Sequence, residues 1–148
     1  MFVRPVLDNK SFNGQVMTME DFEKWRESVI NGGETGVTAE TEIICAIPKY
    51  VGQEHRHYIV DGKVITSSRY KLDGRSNQLA GADDYIVRFA EKIANIFSPA
   101  RAFVLDTYVS GSEVGVVELG CACCAGFYKA DVQKLVMALE GMDDHQGA

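Results

Sequence analysis

Residues 102–119, AFVLDTYVSGSEVGVVEL, place Gly111-Ser112-Glu113 between two runs rich in Val, Leu and Tyr, the pattern of a β-hairpin. A three-residue loop at 111–113 pairs Ser110 with Val114, Tyr108 with Val116 and Asp106 with Glu118. Two carboxylates then face each other across the ladder. Like charges opposite one another destabilise a sheet, so the pair calls for a bound cation, a shared proton or a nearby Lys or Arg. Oxygen ligands on two rigid strands suit Mg²⁺, which takes one or two carboxylates and fills its shell with water and phosphate. The alternative is a solvent-facing pair on an edge, or a register one residue different.

Upstream, Glu54 to Lys71 reads as a second hairpin turning at Asp61-Gly62. A two-residue turn pairs Val60 with Lys63, Tyr58 with Ile65 and Arg56 with Ser67, which puts Arg56, Arg69 and Lys71 on one face and His55 and His57 on the other. Such a cationic face either holds a phosphate or carboxylate or is simply solvated.

The remaining elements extend from these hairpins. Phe2 to Pro5 and Glu42 to Ile47 read as short strands, each stopped by a proline. Thr18 and Asp21 open a helix over 19–30 that carries Phe22, Trp25 and Val29, and Asn31-Gly32-Gly33 ends it. Leu72 to Ala82 reads as a polar loop. Asp83-Asp84 then starts a helix with Ile86, Phe89, Ala90, Ile93 and Phe97 at helical spacing. A last helix places Val132, Leu135, Val136 and Leu139 on one stripe, and 143–148 is expected to be a flexible tail. Hairpins interspersed with helices give the α+β class, with antiparallel sheets.

At 148 residues the chain fits one domain, and 15 Lys and Arg against 21 Asp and Glu leave a net charge of -6. That balance argues against a nucleic-acid or anionic-membrane surface, and no apolar window is long enough to span a bilayer. The reading is a cytoplasmic protein. Three of the four cysteines crowd into Cys121, Cys123 and Cys124, where adjacent pairs make strained disulfides, so the thiols are expected to be reduced. Cys121 and Cys124, with His55 and His57, offer a mixed zinc site; against it stands the reading of small buried thiols in a Gly-flanked turn. No P-loop and no GxGxxG occurs.

Read together, Phe2-Val-Arg-Pro5, Lys10-Ser-Phe-Asn-Gly14, Glu54-His-Arg56, Tyr58-Ile-Val-Asp-Gly-Lys63, Ser68-Arg-Tyr-Lys71, Phe103-Val-Leu-Asp106, Val117-Glu118 and Ala125-Gly-Phe-Tyr128 form an ordered set along nearly the whole chain. The set resembles the ATP-grasp clade named for two arginines and one lysine. The resemblance implies one ATP-grasp-like domain over 1–142, with a smaller lobe and hinge to about residue 72 and a larger lobe over 73–142. It implies ATP and Mg²⁺ as cofactors, the metal on Asp106 and Glu118. Arg4, Arg56 and Lys71 match the clade's cations, Ala46 and Ile47 the adenine hinge, and Lys10 and Glu54 further nucleotide contacts; Arg56, Lys71 and Arg69 become the catalytic candidates. The implied activity is a ligase joining a small-molecule or peptide carboxylate to an amine or thiol through an acyl-phosphate. Two departures stand out. Gly120 and Cys123 replace polar residues that follow the metal-binding Glu in the family, and the N-terminal subdomain that full ATP-grasp enzymes carry does not precede Arg4. The acceptor side is then either missing or supplied by a partner subunit or second copy, and the alternative function is a degenerate relative acting as a nucleotide-binding or protein-interaction module.

Overall fold

The computed structural model describes residues 1–7, 9, 11–33 and 36–143, so Lys10 and the expected tail beyond Asp143 lie outside the described residues. The chain forms two compact units, Met1–Lys49 and Tyr50 onward. Both are α+β.

The first unit contains β1 (Phe2–Pro5), β2 (Gln15–Val16), α1 (Met19–Ile30) and β3 (Ile43–Ala46) in an antiparallel sheet of order β2-β1-β3. Thr18 caps α1 by accepting the Asp21 N–H at 3.1 Å and donating its hydroxyl to the Asp21 carboxylate at 2.7 Å. The apolar stripe of α1 places Trp25 against Phe12 and Phe22, at ring-centroid distances of 5.2 and 6.0 Å, and buries Val29. Past the cap, Gly32 takes the left-handed φ of +74° that ends the helix.

The second unit contains β4 (Gln53–Val60), β5 (Lys63–Leu72), β6 (Arg75–Ala80), α2 (Asp84–Ile96), β7 (Ala102–Ser110), β8 (Glu113–Gly120), a 3₁₀ turn (Ala122–Cys124) and α3 (Val132–Asp143). Its sheet is antiparallel throughout, in the order β6-β5-β4-β7-β8. Alternation along the central strands divides the core by face. Ile59, Phe103 and Leu105 pack with Ala90 and Ala94 of α2, while Tyr58, Val60 and Val104 pack with Leu135 of α3. Of the stripe expected on α3, Leu135 is buried and Leu139 packs beside it, whereas Val132 and Val136 are exposed.

Two expectations change. Residues 75–80, read as loop, form β6, an edge strand whose RSNQLA sequence lacks an apolar alternation because little of it is buried. Contacts divide the chain at Lys49/Tyr50, because β4 pairs along its whole length with β7 and carries the first hairpin into the larger sheet. The loop of the second hairpin is Gly111-Ser112, with Ser110 opposite Glu113, and not the three-residue loop expected.

Candidate active site on the five-stranded sheet

β-Bulges decide which side chains meet on this sheet. From the two-residue turn, the β7–β8 pairing runs Val109 with Val114, Tyr108 with Gly115 and Thr107 with Val116. A bulge at Val117 then brings Asp106 opposite Glu118. The shorter turn and the bulge offset each other, so the facing carboxylates stand where the sequence placed them. In the first hairpin two bulges act. Ile65 is extra, so Tyr58 pairs with Thr66 and Arg56 with Ser68; Tyr70 is extra, so His55 pairs with Arg69 but Glu54 with Lys71. The first bulge turns Arg69 to the face of His55 and His57, and the second returns Lys71 to the face of Arg56. Arg69 therefore does not join Arg56, correcting the expected cationic trio. Its guanidinium instead donates to Asn77 Oδ1 on β6 from Nε and Nη2, at 3.1 and 2.7 Å.

One face of β5-β4-β7-β8 thus gathers Lys71, Glu54, Arg56, Asp106 and Glu118. Arg56 donates from Nε and Nη2 to the two oxygens of Asp106, both at 2.8 Å, and its Nη2 lies 3.9 Å from Glu118. The side chains of Arg56 and Asp106 are 12% and 2% exposed, while that of Glu118 is 65% exposed. The like-charge pair therefore has an internal cation beside it, one of the three reasons its existence called for. The Asp106 bond holds the Arg56 guanidinium above even its usual range, against the opposing effect of burial. Two of its five N–H groups serve Asp106, and Nη1 makes a long 3.4 Å bond to the Gly126 carbonyl, so donor capacity remains on that edge.

Two tyrosines complete this face and were not assigned from sequence. Tyr70 donates its hydroxyl to Glu54 Oε2 at 2.8 Å, and Lys71 Nζ lies 3.2 Å from Glu54 Oε1. Burial first, then the charges of Asp106 and Glu54, raise the Tyr70 phenol far above its ordinary range and keep it neutral. The Tyr70 and Tyr128 rings stack at 5.1 Å, and the Arg56 guanidinium carbon lies 5.6 and 5.3 Å from their centroids. Tyr128 reaches this position on a turn laid over the sheet. The turn is tied down by Tyr58 hydroxyl to Ala125 carbonyl, Lys129 N–H to Ser68 Oγ and Asp131 N–H to Thr66 Oγ1, at 3.1, 3.1 and 2.7 Å. Its backbone holds Tyr128 at a φ of +53°, unusual for a bulky residue. The only signal for Tyr70 in the sequence was its place between Arg69 and Lys71; Tyr128 stood in a quoted motif without a role.

Three further expected site residues stand on the first unit. Arg4 is exposed on β1, Ala46 ends β3, and Ile47 after it is 89% exposed; all three belong to the first unit. The mixed zinc site does not assemble. His57 is buried between the hydroxyls of Ser67 and Thr107, at 2.8 and 2.9 Å, and its ring stacks on His55 at 6.3 Å. Burial pushes His57 down to about 3 and His55 to about 4. The cysteines are not buried either. Cys121, Cys123 and Cys124 are all exposed, with Sγ separations of 2.9 Å for 121–123 and 3.8 Å for 123–124.

Residues 1–139 match the model of an ATP-grasp domain family, the third family of the clade named for two arginines and one lysine. The chain belongs to this family. The ATP-grasp domain also resembles solved structures of the ATP-grasp ligase PsnB. The complex of PsnB with a minimal precursor is 18% identical, with a TM-score of 0.61 over 95% of this chain and 46% of that one. A complex with a phosphomimetic variant of the minimal precursor, Mg and ADP is 18% identical, with a TM-score of 0.57 over 85% of this chain and 37% of that one. The ATP-grasp domain thus spans less than half the length of these relatives, and the likeness establishes the fold. No curated protein is significantly similar to it in sequence. Among the described residues no helix is long and apolar enough to cross a membrane.

For a hard divalent ion the face offers carboxylate oxygen from Glu118 and from the lone pairs of Asp106 that Arg56 leaves unused. Gly120 and Cys123 add no side-chain oxygen. This sparse set fits Mg²⁺, which binds through one or two carboxylates and draws its remaining ligands from water and phosphate.

Proposed function

We propose that this ATP-grasp domain is the nucleotide-handling core of an ATP-dependent ligase that activates a carboxylate, with a peptide as the favoured substrate class. The observation that carries the reading is that Arg56, Asp106, Glu118 and Lys71 share one face of the sheet, Arg56 bound to Asp106 and 3.9 Å from Glu118. Peptide is favoured because one solved PsnB structure holds a precursor peptide.

In the proposed reaction a substrate carboxylate oxygen attacks the γ-phosphorus of ATP, the bond to the bridging oxygen breaks, and ADP leaves. An amine or thiol then attacks the acyl carbon and expels phosphate. Arg56 contributes a guanidinium already oriented by Asp106 and flanked by Tyr70 and Tyr128, so little side-chain ordering remains when phosphoryl charge develops. Lys71 is 45% exposed and adds a mobile point charge, held toward this face by Glu54. Glu118 and Asp106 would hold Mg²⁺, which would neutralise charge on the phosphates. Arg4, Lys10, Ala46 and Ile47 remain proposed nucleotide contacts of the first unit. Arg69, bound to Asn77 on the other face, is left out of the catalytic set.

A second reading, a nucleotide-binding module without turnover, is favoured by one observation: both Asp106 oxygens already accept from Arg56, while Gly120 and Cys123 supply no replacement ligand. Titration with ATP separates the readings. Mg-ATP at a hundredfold excess over its dissociation constant stabilises the fold by about 2.7 kcal/mol, and Glu118→Gln should weaken the Mg²⁺-dependent part of ATP affinity while sparing metal-free binding. Unchanged Mg-ATP affinity in Glu118→Gln would leave the module reading standing, and no thermal shift at millimolar Mg-ATP would remove both.

A further inference from the structure

Just past β8 the backbone tightens into the 3₁₀ turn Ala122–Cys124, with the Cys124 N–H directed at the Cys121 carbonyl at 3.4 Å. The turn brings Cys121 and Cys124, the C-x-x-C spacing of a metal half-site, round to the same side as Cys123. All three sulfurs lie within 4.8 Å of one another. Metal–thiolate bonds of about 2.3 Å set sulfurs about 3.8 Å apart around a tetrahedral ion, and the Cys123–Cys124 separation is 3.8 Å. The 2.9 Å approach of Cys121 to Cys123 is the one distance that must open, by about 1 Å on the same geometry. All three cysteines are exposed at the surface, so an ion has an entry path without local unfolding.

We propose that Cys121, Cys123 and Cys124 form a three-thiolate site for a thiophilic closed-shell cation, Zn²⁺ or Cu⁺, with ligands separate from those of the nucleotide face. Softness selects this class, because three thiolates without oxygen or imidazole disfavour Mg²⁺ and Ca²⁺. Among the described residues no histidine or carboxylate joins the group, so Zn²⁺ would take water as its fourth ligand and Cu⁺ would be trigonal. Binding replaces three S–H bonds by three metal–sulfur bonds and releases the thiol protons to solvent, with no change of oxidation state. The ion would clip the end of β8 to the turn whose Gly126 carbonyl and Tyr128 ring touch Arg56.

The test counts thiols on the reduced full chain, which has four cysteines, all exposed. Without metal, all four should react with a thiol reagent. With one equivalent of Zn²⁺, or of Cu⁺ under anaerobic conditions, only Cys45 should react, and the ion retained at the lower free concentration identifies the cation. Co²⁺ as a probe should give a thiolate charge-transfer band. Cys123→Ser should weaken binding by roughly a hundredfold or more, and Cys45→Ser should leave it unchanged. Four reactive thiols at saturating Zn²⁺ and Cu⁺ would overturn the proposal. So would protection without metal accompanied by a two-proton mass loss, which would assign the cluster to a disulfide.

Discussion

Replacing Arg56 by methionine keeps most of the side-chain volume and removes the fork that holds Asp106. With Arg56 and Asp106 side chains only 12% and 2% exposed, the pair is a buried ion pair rather than a surface one. Losing one partner strands a carboxylate away from water, which costs about 3–5 kcal/mol. The contacts of Arg56 with Tyr70 and Tyr128, 5.6 and 5.3 Å from their ring centroids, add roughly 1 kcal/mol more. Against a total stability of about 5–15 kcal/mol, this loss is large. A chain of about 150 residues loses roughly 2–4 °C per kcal/mol, so the melting temperature should fall by at least about 6 °C. The assay is urea unfolding of wild type, Arg56→Met, Asp106→Leu and the double variant. In the double variant no charge is stranded, so it should be more stable than Arg56→Met alone, and Arg56→Lys should fall between Arg56→Met and wild type. An Arg56→Met loss below about 1 kcal/mol, or a double variant no better than Arg56→Met, would refute the reading of Arg56 as the counter-charge of this face.

Glu118→Gln should change the urea midpoint by less than about 0.5 kcal/mol equivalent, because its carboxylate is 65% exposed and 3.9 Å from Arg56; a larger loss would make Glu118 structural. His57 and His55 are held neutral by burial at about 3 and 4 against an ordinary 6.5. The unfolded chain therefore binds more protons below pH 6.5. Stability should fall as pH drops from about 6.5 toward the folded values, by up to about 1.4 kcal/mol per pH unit per histidine. Unfolding midpoints between pH 7 and 5 that do not change, or change equally in His57→Gln, would contradict this. Gly115→Ala puts a methyl 2.4 Å from the Tyr108 ring, which must swing away and break its bond to Glu113, so a loss of about 1–3 kcal/mol is expected in thermal unfolding. Gly120→Asn, which would restore a polar side chain beside Glu118, sets its Cβ 3.1 Å from Val104 Cγ2. It should tighten Mg-ATP binding in a calorimetric titration only if Val104 yields, and Gly120→Ala separates the crowding from the added oxygen.

The elements whose identity depends on neighbours in sequence were legible before the fold. The cap at Thr18, the helical spacing in α1 and α2, the Asp61-Gly62 turn and the two hairpins are local matters of turn chemistry and side-chain period, and the structure has them at or close to the expected bounds. The ordered motifs also carried the family, since most of them sit on elements so formed. Edge strand β6 was not legible, because a strand with little burial carries no alternation to read.

Side-chain registration needed the assembled sheet. A bulge depends on how a strand must twist to keep hydrogen bonds with one neighbour while its residues pack on two different helices, and no short window of sequence encodes that. Arg69 was assigned to the wrong face because one bulge intervenes between it and the turn; Lys71 was assigned correctly because two do. Asp106 met Glu118 because a shorter turn and a bulge at Val117 offset each other. Tyr70 joined Arg56 because it is itself the extra residue, and the cysteines proved exposed because their turn lies beyond the end of β8 rather than in the core. The residue types that carry charge, stacking and sulfur chemistry were set by the sequence, but which of them share a face was set by hydrogen-bond register between residues up to 56 positions apart.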